Sequence, residues 1–231
     1  KKVVMNTYVI KSDERFIKRC DLGESRSLLG ENTLLKNFKR MINIKEKFFK
    51  PNRGALPTSK SEIDIITIPL TGEIQQKTNL GFSTVIDQSS VNYLHTCNGV
   101  MYYEYNPSNV DTVRCLEIEI ENPCKKKGNA SNYKIKLKNK KNGLEHLLPE
   151  NEVCGSKYYI YKGVLDKNSL FIFNPKSEAC SAVLYYQING SSKINADKEL
   201  SQNDTYVSRG ENNSLTINPI TETECIIIEI S

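Results

Sequence analysis

Most of the chain alternates apolar and polar residues with a period of two. Residues 62–68 read Glu-Ile-Asp-Ile-Ile-Thr-Ile, a strand with one apolar face. Residues 116–121 put Leu116, Ile118 and Ile120 on one side and Glu117, Glu119 and Glu121 on the other. Residues 133–138 turn Tyr133, Ile135 and Leu137 inward and Lys134, Lys136 and Lys138 outward, and Asn142-Gly143 then supplies a turn. Tyr158 to Tyr161 and Leu170 to Phe173 read as further strands, the second broken by Asn174-Pro175. Short strands separated by turns predict an all-β chain built from β-sandwiches.

One segment departs from this pattern. From about Asn32 to Phe49, apolar residues fall at Leu34, Leu35, Phe38, Met41, Ile42 and Phe49, which is helical spacing. Lys36, Lys39, Arg40 and Lys47 lie mostly elsewhere on the wheel, and Pro51, Asn52 and Gly54 stop the pattern. The spacing predicts a helical insertion over 32–49. It either packs on its own sandwich or presents a basic amphipathic face to a partner or a membrane surface.

Two short patterns recur in the same order. Cys97-Asn-Gly-Val100-Met101-Tyr102-Tyr103 returns as Cys180-Ser-Ala-Val183-Leu184-Tyr185-Tyr186, and Cys115-Leu116-Glu117-Ile118-Glu119-Ile120 returns as Cys225-Ile226-Ile227-Ile228-Glu229-Ile230. The repeat predicts two copies of one small β-domain, which suits a chain of 231 residues. Pro123 cannot donate to a sheet ladder, so the boundary is placed before it, giving domains 1–121 and 122–231.

Domains this small often use disulfides as staples, and seven cysteines suggest an oxidising compartment and secretion. Equivalent positions in the repeat predict Cys97–Cys115 and Cys180–Cys225, and Cys124–Cys154 remains as a third pair. Each closed loop would contribute roughly 3–4 kcal/mol in the chain-entropy model. Cys20 is left over, flanked by Arg15, Lys18, Arg19, Asp21 and Glu24. It reads as an intermolecular disulfide, a quiet free thiol, or a sign of different pairing. Asn129, Asn189, Asn203 and Asn212 head glycosylation sequons, which agrees with export.

Composition narrows the chemistry. The net charge of +5 is not gathered into a basic patch interleaved with aromatics, so no nucleic-acid partner is expected. No apolar run approaches the ~18 residues of a membrane span. The reading expects neither a leader nor a glycolipid-anchor tail, with the start at Lys1 processed or trimmed. The only histidines are His95 and His146, and no cysteine pair has zinc-ligand spacing, so no metal is expected. No phosphate loop, dinucleotide fingerprint or nucleophile elbow occurs, so no cofactor is expected. Glu117 and Glu119 share a strand face that reads as solvated. The chain is therefore read as a non-enzyme. A second reading makes it a direct adhesin, binding an anionic glycan or host receptor through a Lys-rich strand face. Lys125, Lys126, Lys127, Lys134, Lys136, Lys138, Lys140 and Lys141 would supply the charge, although edge lysines also guard strands against aggregation.

These features together resemble the six-cysteine surface-protein family of malaria parasites, whose tandem β-sandwich domains pair cysteines first with second, third with sixth, and fourth with fifth. Both copies here match the third-and-sixth pair, only the second copy matches the first-and-second pair, and the fourth and fifth are missing, so the domains are degenerate. The resemblance implies a secreted glycoprotein of host-cell invasion, passing from an apical organelle to the merozoite surface. It implies a protein-interaction subunit of a larger erythrocyte-invasion complex. Cys20 would link it by a disulfide to a membrane-anchored thrombospondin-related apical protein.

Overall fold

The structure is a computed structural model that describes residues 6–29, 41–122, 129–138, 140–148, 158–210 and 213–230. Its strands run β1 Asn6–Ile10, β2 Phe16–Cys20, β3 Gly23–Leu29, β4 Met41–Phe49, β5 Thr58–Lys60, β6 Ile63–Thr71, β7 Ile74–Thr78, β8 Ser83–Ile86, β9 Ser90–His95, β10 Val100–Tyr105, β11 Val113–Glu121 and β12 Ser131–Lys136. They continue as β13 Gly143–His146, β14 Tyr158–Leu165, β15 Phe171–Phe173, β16 Ala182–Asn189, β17 Ser192–Ile194, β18 Lys198–Leu200, β19 Thr205–Arg209, β20 Leu215–Pro219 and β21 Thr223–Ile230. Among the described residues the sole helical turn is a 3-10 turn at Ser12–Glu14.

The chain divides into two compact units, residues 15–137 and residues 1–14 with 138–231. In the first unit a seven-stranded sheet, β12-β9-β6-β11-β4-β3-β2, is packed against a four-stranded sheet, β5-β10-β7-β8. Phe49 and Cys115 from the larger sheet meet Ile74 and Ile86 from the smaller one. In the second unit a six-stranded sheet, β1-β19-β16-β21-β14-β13, is packed against β15-β20-β17-β18. Leu165, Tyr185, Cys225 and Ile227 there meet Ile194, Leu215 and Ile217. Fully burying side chains of this size contributes roughly 1.5–3 kcal/mol each, so alternating apolar positions on facing sheets account for the two cores.

The strand orders of the two units correspond except that β2 has no counterpart in the second. Only half of the sequence repeat marks equivalent places. Cys115 and Cys225 lie on β11 and β21, the strands flanked by β4 and β6 in one unit and by β14 and β16 in the other. Cys97 precedes β10, in the smaller sheet, whereas Cys180 precedes β16, in the larger. The predicted pairs Cys97–Cys115 and Cys180–Cys225 are not formed, because Cys115, Cys180 and Cys225 are buried free thiols. Cys97 is disulfide-bonded, with Cys115 excluded as its mate. Cys124 and Cys154 lie outside the described residues.

Two further expectations change. The division falls at 137/138 rather than 121/122, because β12 pairs with β9 from Ser131↔His95 to Lys136↔Ser90. The first strand joins the second unit, pairing Asn6↔Arg209 to Ile10↔Thr205. The helix predicted over 32–49 is a strand at Met41–Phe49, and residues 32–40 lie outside the described ones. Strand β4 is interior and buried on both faces, so its apolar residues lose the period of two that a half-exposed strand shows.

Candidate functional site

Three neighbouring strands of the first unit turn alternate residues toward one space. These are Phe16, Lys18 and Cys20 of β2, Gly23, Ser25 and Ser27 of β3, and Asn43, Lys45, Lys47 and Phe49 of β4. The segment Gly54 to Lys60, Tyr102 and Tyr103 of β10, and Glu119 of β11 complete the wall of a cavity of about 580 Å³. Gly54 is required where this segment crosses β10, since a Cβ there would lie 2.2 Å from the Glu104 carbonyl oxygen.

The inner end of the cavity is an alternating chain of charges. The β4–β11 register sets Lys47 opposite Cys115 and Lys45 opposite Glu117. Lys47 Nζ donates to Glu104 Oε2 and Glu117 Oε2. Lys45 Nζ lies 2.7 Å from Glu117 Oε1 and 3.5 Å from Glu119 Oε1, and Lys60 Nζ donates to Glu119 Oε2 at 3.0 Å. Further hydrogen bonds hold the carboxylates. Tyr102 Oη donates to Glu117 Oε2 at 3.1 Å, and Thr67 Oγ1 and Gln76 Nε2 donate to Glu104 Oε1 at 3.0 and 3.3 Å. Glu104 and Glu117 are fully buried and Glu119 nearly so.

These contacts set the protonation states. Burial works against the charge on Lys47, but the Glu104 and Glu117 carboxylates outweigh it and hold its pKa well above the ordinary lysine value. Lys45 is also raised, with Glu117 and Glu119 overcoming burial. Burial would raise Glu117, yet Lys47 and Lys45 hold it far below the usual carboxylate range. Burial pushes the Tyr102 hydroxyl and Cys115 thiol well up. Lys47 is therefore a fixed cation, not a free amine available for Schiff-base chemistry.

Among the described residues the second unit has no such interior. Cys225 faces Gly163 where Cys115 faces Lys47, and Ile227 faces Tyr185 where Glu117 faces Thr67. A Cβ at Gly163 would lie 2.7 Å from Leu144 Cδ2 and 3.3 Å from Cys225 Sγ, so a lysine has no room there. Gly72 and Gly190, both at positive φ of 67° and 77°, follow β6 and β16 and align the next strands. On that alignment Gln76 corresponds to Ile194 and its partner Glu104 to Ile217, both buried apolar residues.

Other predicted site residues are scattered. Cys20 is exposed at the cavity wall. Asn129 and Asn189 are exposed, Asn203 is half-buried, and Asn212 lies outside the described residues. His95 Nδ1 lies 2.7 Å from Asp64 Oδ1, while His146 sits among Tyr159 and Tyr161 in the second unit. Glu117 and Glu119, read as a solvated face, are the buried partners of Lys45 and Lys47. The available signal was complementarity: strand 41–49 carries lysines at the same alternation at which 115–121 carries glutamates.

The whole fold has close structural relatives. YhhW from Escherichia coli superposes with a TM-score of 0.85 at 16% identity, covering 98% of each chain. A nickel(II) complex of the bacterial pirin YhhW from Escherichia coli gives 0.84 at 16% identity over 97% of this chain and 99% of that one. Quercetin 2,3-dioxygenase from Acinetobacter baumannii gives 0.77 at 12% identity over 98% of this chain and 85% of that one. The fold is that of these proteins, a β-sandwich of jelly-roll type in each of the two units. No family model and no curated protein matches the chain.

This overturns the six-cysteine resemblance, and what it implied falls with it: the erythrocyte-invasion subunit, the disulfide-linked thrombospondin-related partner and the merozoite-surface localisation; the separate adhesin reading drawn from the Lys-rich face is overturned as well. The expectation of a non-enzyme is corrected too, because a dioxygenase shares the fold. A metal centre of the kind a nickel(II) complex suggests does not fit the residues present. Among the described residues no three of His, Cys, Asp and Glu are grouped to hold a metal ion, neither histidine lines the cavity, and an ammonium already occupies the point between Glu104 and Glu117.

Proposed function

We propose that the first unit binds a small organic anion with an aromatic or otherwise flat apolar body inside its barrel. The carrying observation is the cavity lining, where Lys18 and Lys60 stand beside Phe16, Phe49, Tyr102 and Tyr103, while Lys45 and Lys47 are matched by the buried Glu117 and Glu104. Glu24 also lines the cavity but is held by Arg19 and Arg26, so it adds little negative field. A volume of about 580 Å³ suits a ligand of drug-like size. Lys60 is the cation best placed to reach a ligand, since its side chain is a quarter exposed and bound to one carboxylate. A neighbour whose name states quercetin as its substrate makes quercetin a sensible member of the probe set.

Titration calorimetry with cinnamate, quercetin and cinnamylamine tests the reading. Cinnamate should bind and the amine should not, and Lys60→Gln should weaken cinnamate by about tenfold, the equivalent of about 1.4 kcal/mol. Equal binding of acid and amine would sink the reading. Chromatography of the ligand after incubation measures turnover in the same samples.

A further inference from the structure

We infer that Asn43 makes the cavity selective for 2-hydroxy acids over carboxylic acids that lack the hydroxyl. The inference rests on the anion-binding reading and names the chemistry of the anion. Asn43, Lys45 and Lys47 alternate along β4 and face the cavity together. The β4–β11 register sets Asn43 directly opposite Glu119, so their Cβ atoms lie about 4.5–5.5 Å apart. Glu119 in turn accepts a hydrogen bond from Lys60 Nζ at 3.0 Å. One end of the cavity therefore sets an ammonium, a carboxylate and an amide side by side. The ammonium gives one of its three N–H donors to Glu119, which leaves donors for a ligand carboxylate. The Asn43 side chain is half-buried and has no hydrogen-bond partner among the described residues. With the ligand carboxylate on Lys60, the carbon next to it lies beside Asn43. A hydroxyl suits that place, because its proton can go to Glu119 or Asn43 Oδ1 while its oxygen accepts from Asn43 Nδ2. A bare hydrocarbon there would leave the amide desolvated and unpaired, which weakens binding. Phe49 stands at the other end of the same β4 alternation, so the aromatic body points that way.

Calorimetry of the full chain compares each enantiomer of 3-phenyllactate with 3-phenylpropanoate, and cinnamate is titrated in the same series. Wild type should bind one enantiomer of 3-phenyllactate about tenfold more tightly than 3-phenylpropanoate, the effect of one added hydrogen bond. Asn43→Leu keeps the bulk and removes the amide, so it should lose this preference by weakening the hydroxy acid without weakening 3-phenylpropanoate. Lys60→Gln should weaken both acids alike and keep their ratio, since it acts on the carboxylate they share. Equal binding of the two acids by wild type would overturn the inference, and cinnamate binding in that series would show that the anion-binding reading survives it. Failure of all the acids to bind would remove both. A preference that persists in Asn43→Leu overturns the inference, as does equal weakening of both acids, the mark of a merely structural role. Far-ultraviolet spectra check the fold of each variant, and Asn43→Ala is read in place of Asn43→Leu if the latter misfolds. Failure of both to fold would show that the amide holds the barrel rather than facing a ligand, and overturns the inference.

Discussion

A lysine buried between two carboxylates is stable only while all three groups keep their charges, and removing one partner of such a set typically costs about 3–5 kcal/mol. The pH dependence follows from the directions of the shifts. Glu117 is held below its ordinary value, so its contribution is complete above the unfolded glutamate pKa of about 4.3 and is lost as pH falls toward the folded value. Lys45 and Lys47 are raised, so their contribution is complete below the unfolded lysine pKa of about 10.4 and is lost as pH rises through the folded values. Urea midpoints should therefore be highest between these limits and fall outside them, and Glu117→Gln should flatten the acid limb. An acid limb of unchanged slope in that variant would remove Glu117 from the account. The thiols give a second residue-scale prediction. Burial raises Cys115 and Cys180 and pushes Cys225 up to about 12, whereas Cys20 is exposed. Iodoacetamide should label Cys20 in the native protein and reach the other three only after unfolding, as read by peptide mass.

Among the elements, the strands were legible wherever one face meets water or one face is apolar. Leu116, Ile118 and Ile120 mark β11 correctly, and Tyr133 and Ile135 mark β12, which ends one residue before Leu137. What alternation could not report was the nature of the polar side. Glu117 and Glu119 alternate with isoleucine in the same way whether they face solvent or a charged barrel interior, and only pairing with β4 distinguishes the two. Strand β4 itself was misread because Ile44, Lys47 and Phe49 are buried on opposite faces. The lysines of β12 belong to the other case. β12 closes one edge of the seven-stranded sheet, and Lys134 and Lys136 are exposed. Lysines on an edge strand disfavour pairing with another chain. Lys134→Val/Lys136→Val should increase self-association in light scattering without a change in the far-ultraviolet spectrum. A variant that stays monodisperse at the same concentration would argue that other features guard this edge.

Over the whole molecule, the recurring Cys115 and Cys225 strands occupy matching places in the two sheets, but the staple model does not follow from them. Equivalent cysteines recur because the equivalent central strands β11 and β21 place a small, buried side chain at the same point in each core, and neither forms a disulfide. The two units differ in their interiors. The second fills its barrel with Leu215, Ile217, Ile227 and Tyr185, whereas the first keeps Lys47, Glu104 and Glu117 beside an open cavity. A packed apolar barrel resists opening and offers no space, while a polar barrel with a cavity can gain contacts from a ligand. Binding should therefore be written into one unit alone. Amide hydrogen exchange of the full chain with saturating cinnamate should slow in β2, β3, β4 and β10, whose residues line the cavity, and stay unchanged in β14, β16 and β21. Protection of equal size in the second unit's strands would mean that the ligand stabilises the chain from elsewhere. Protection lost in Lys60→Gln but retained in Lys193→Gln, a lysine of the second unit outside this cavity, would tie the effect to the first barrel's own charges.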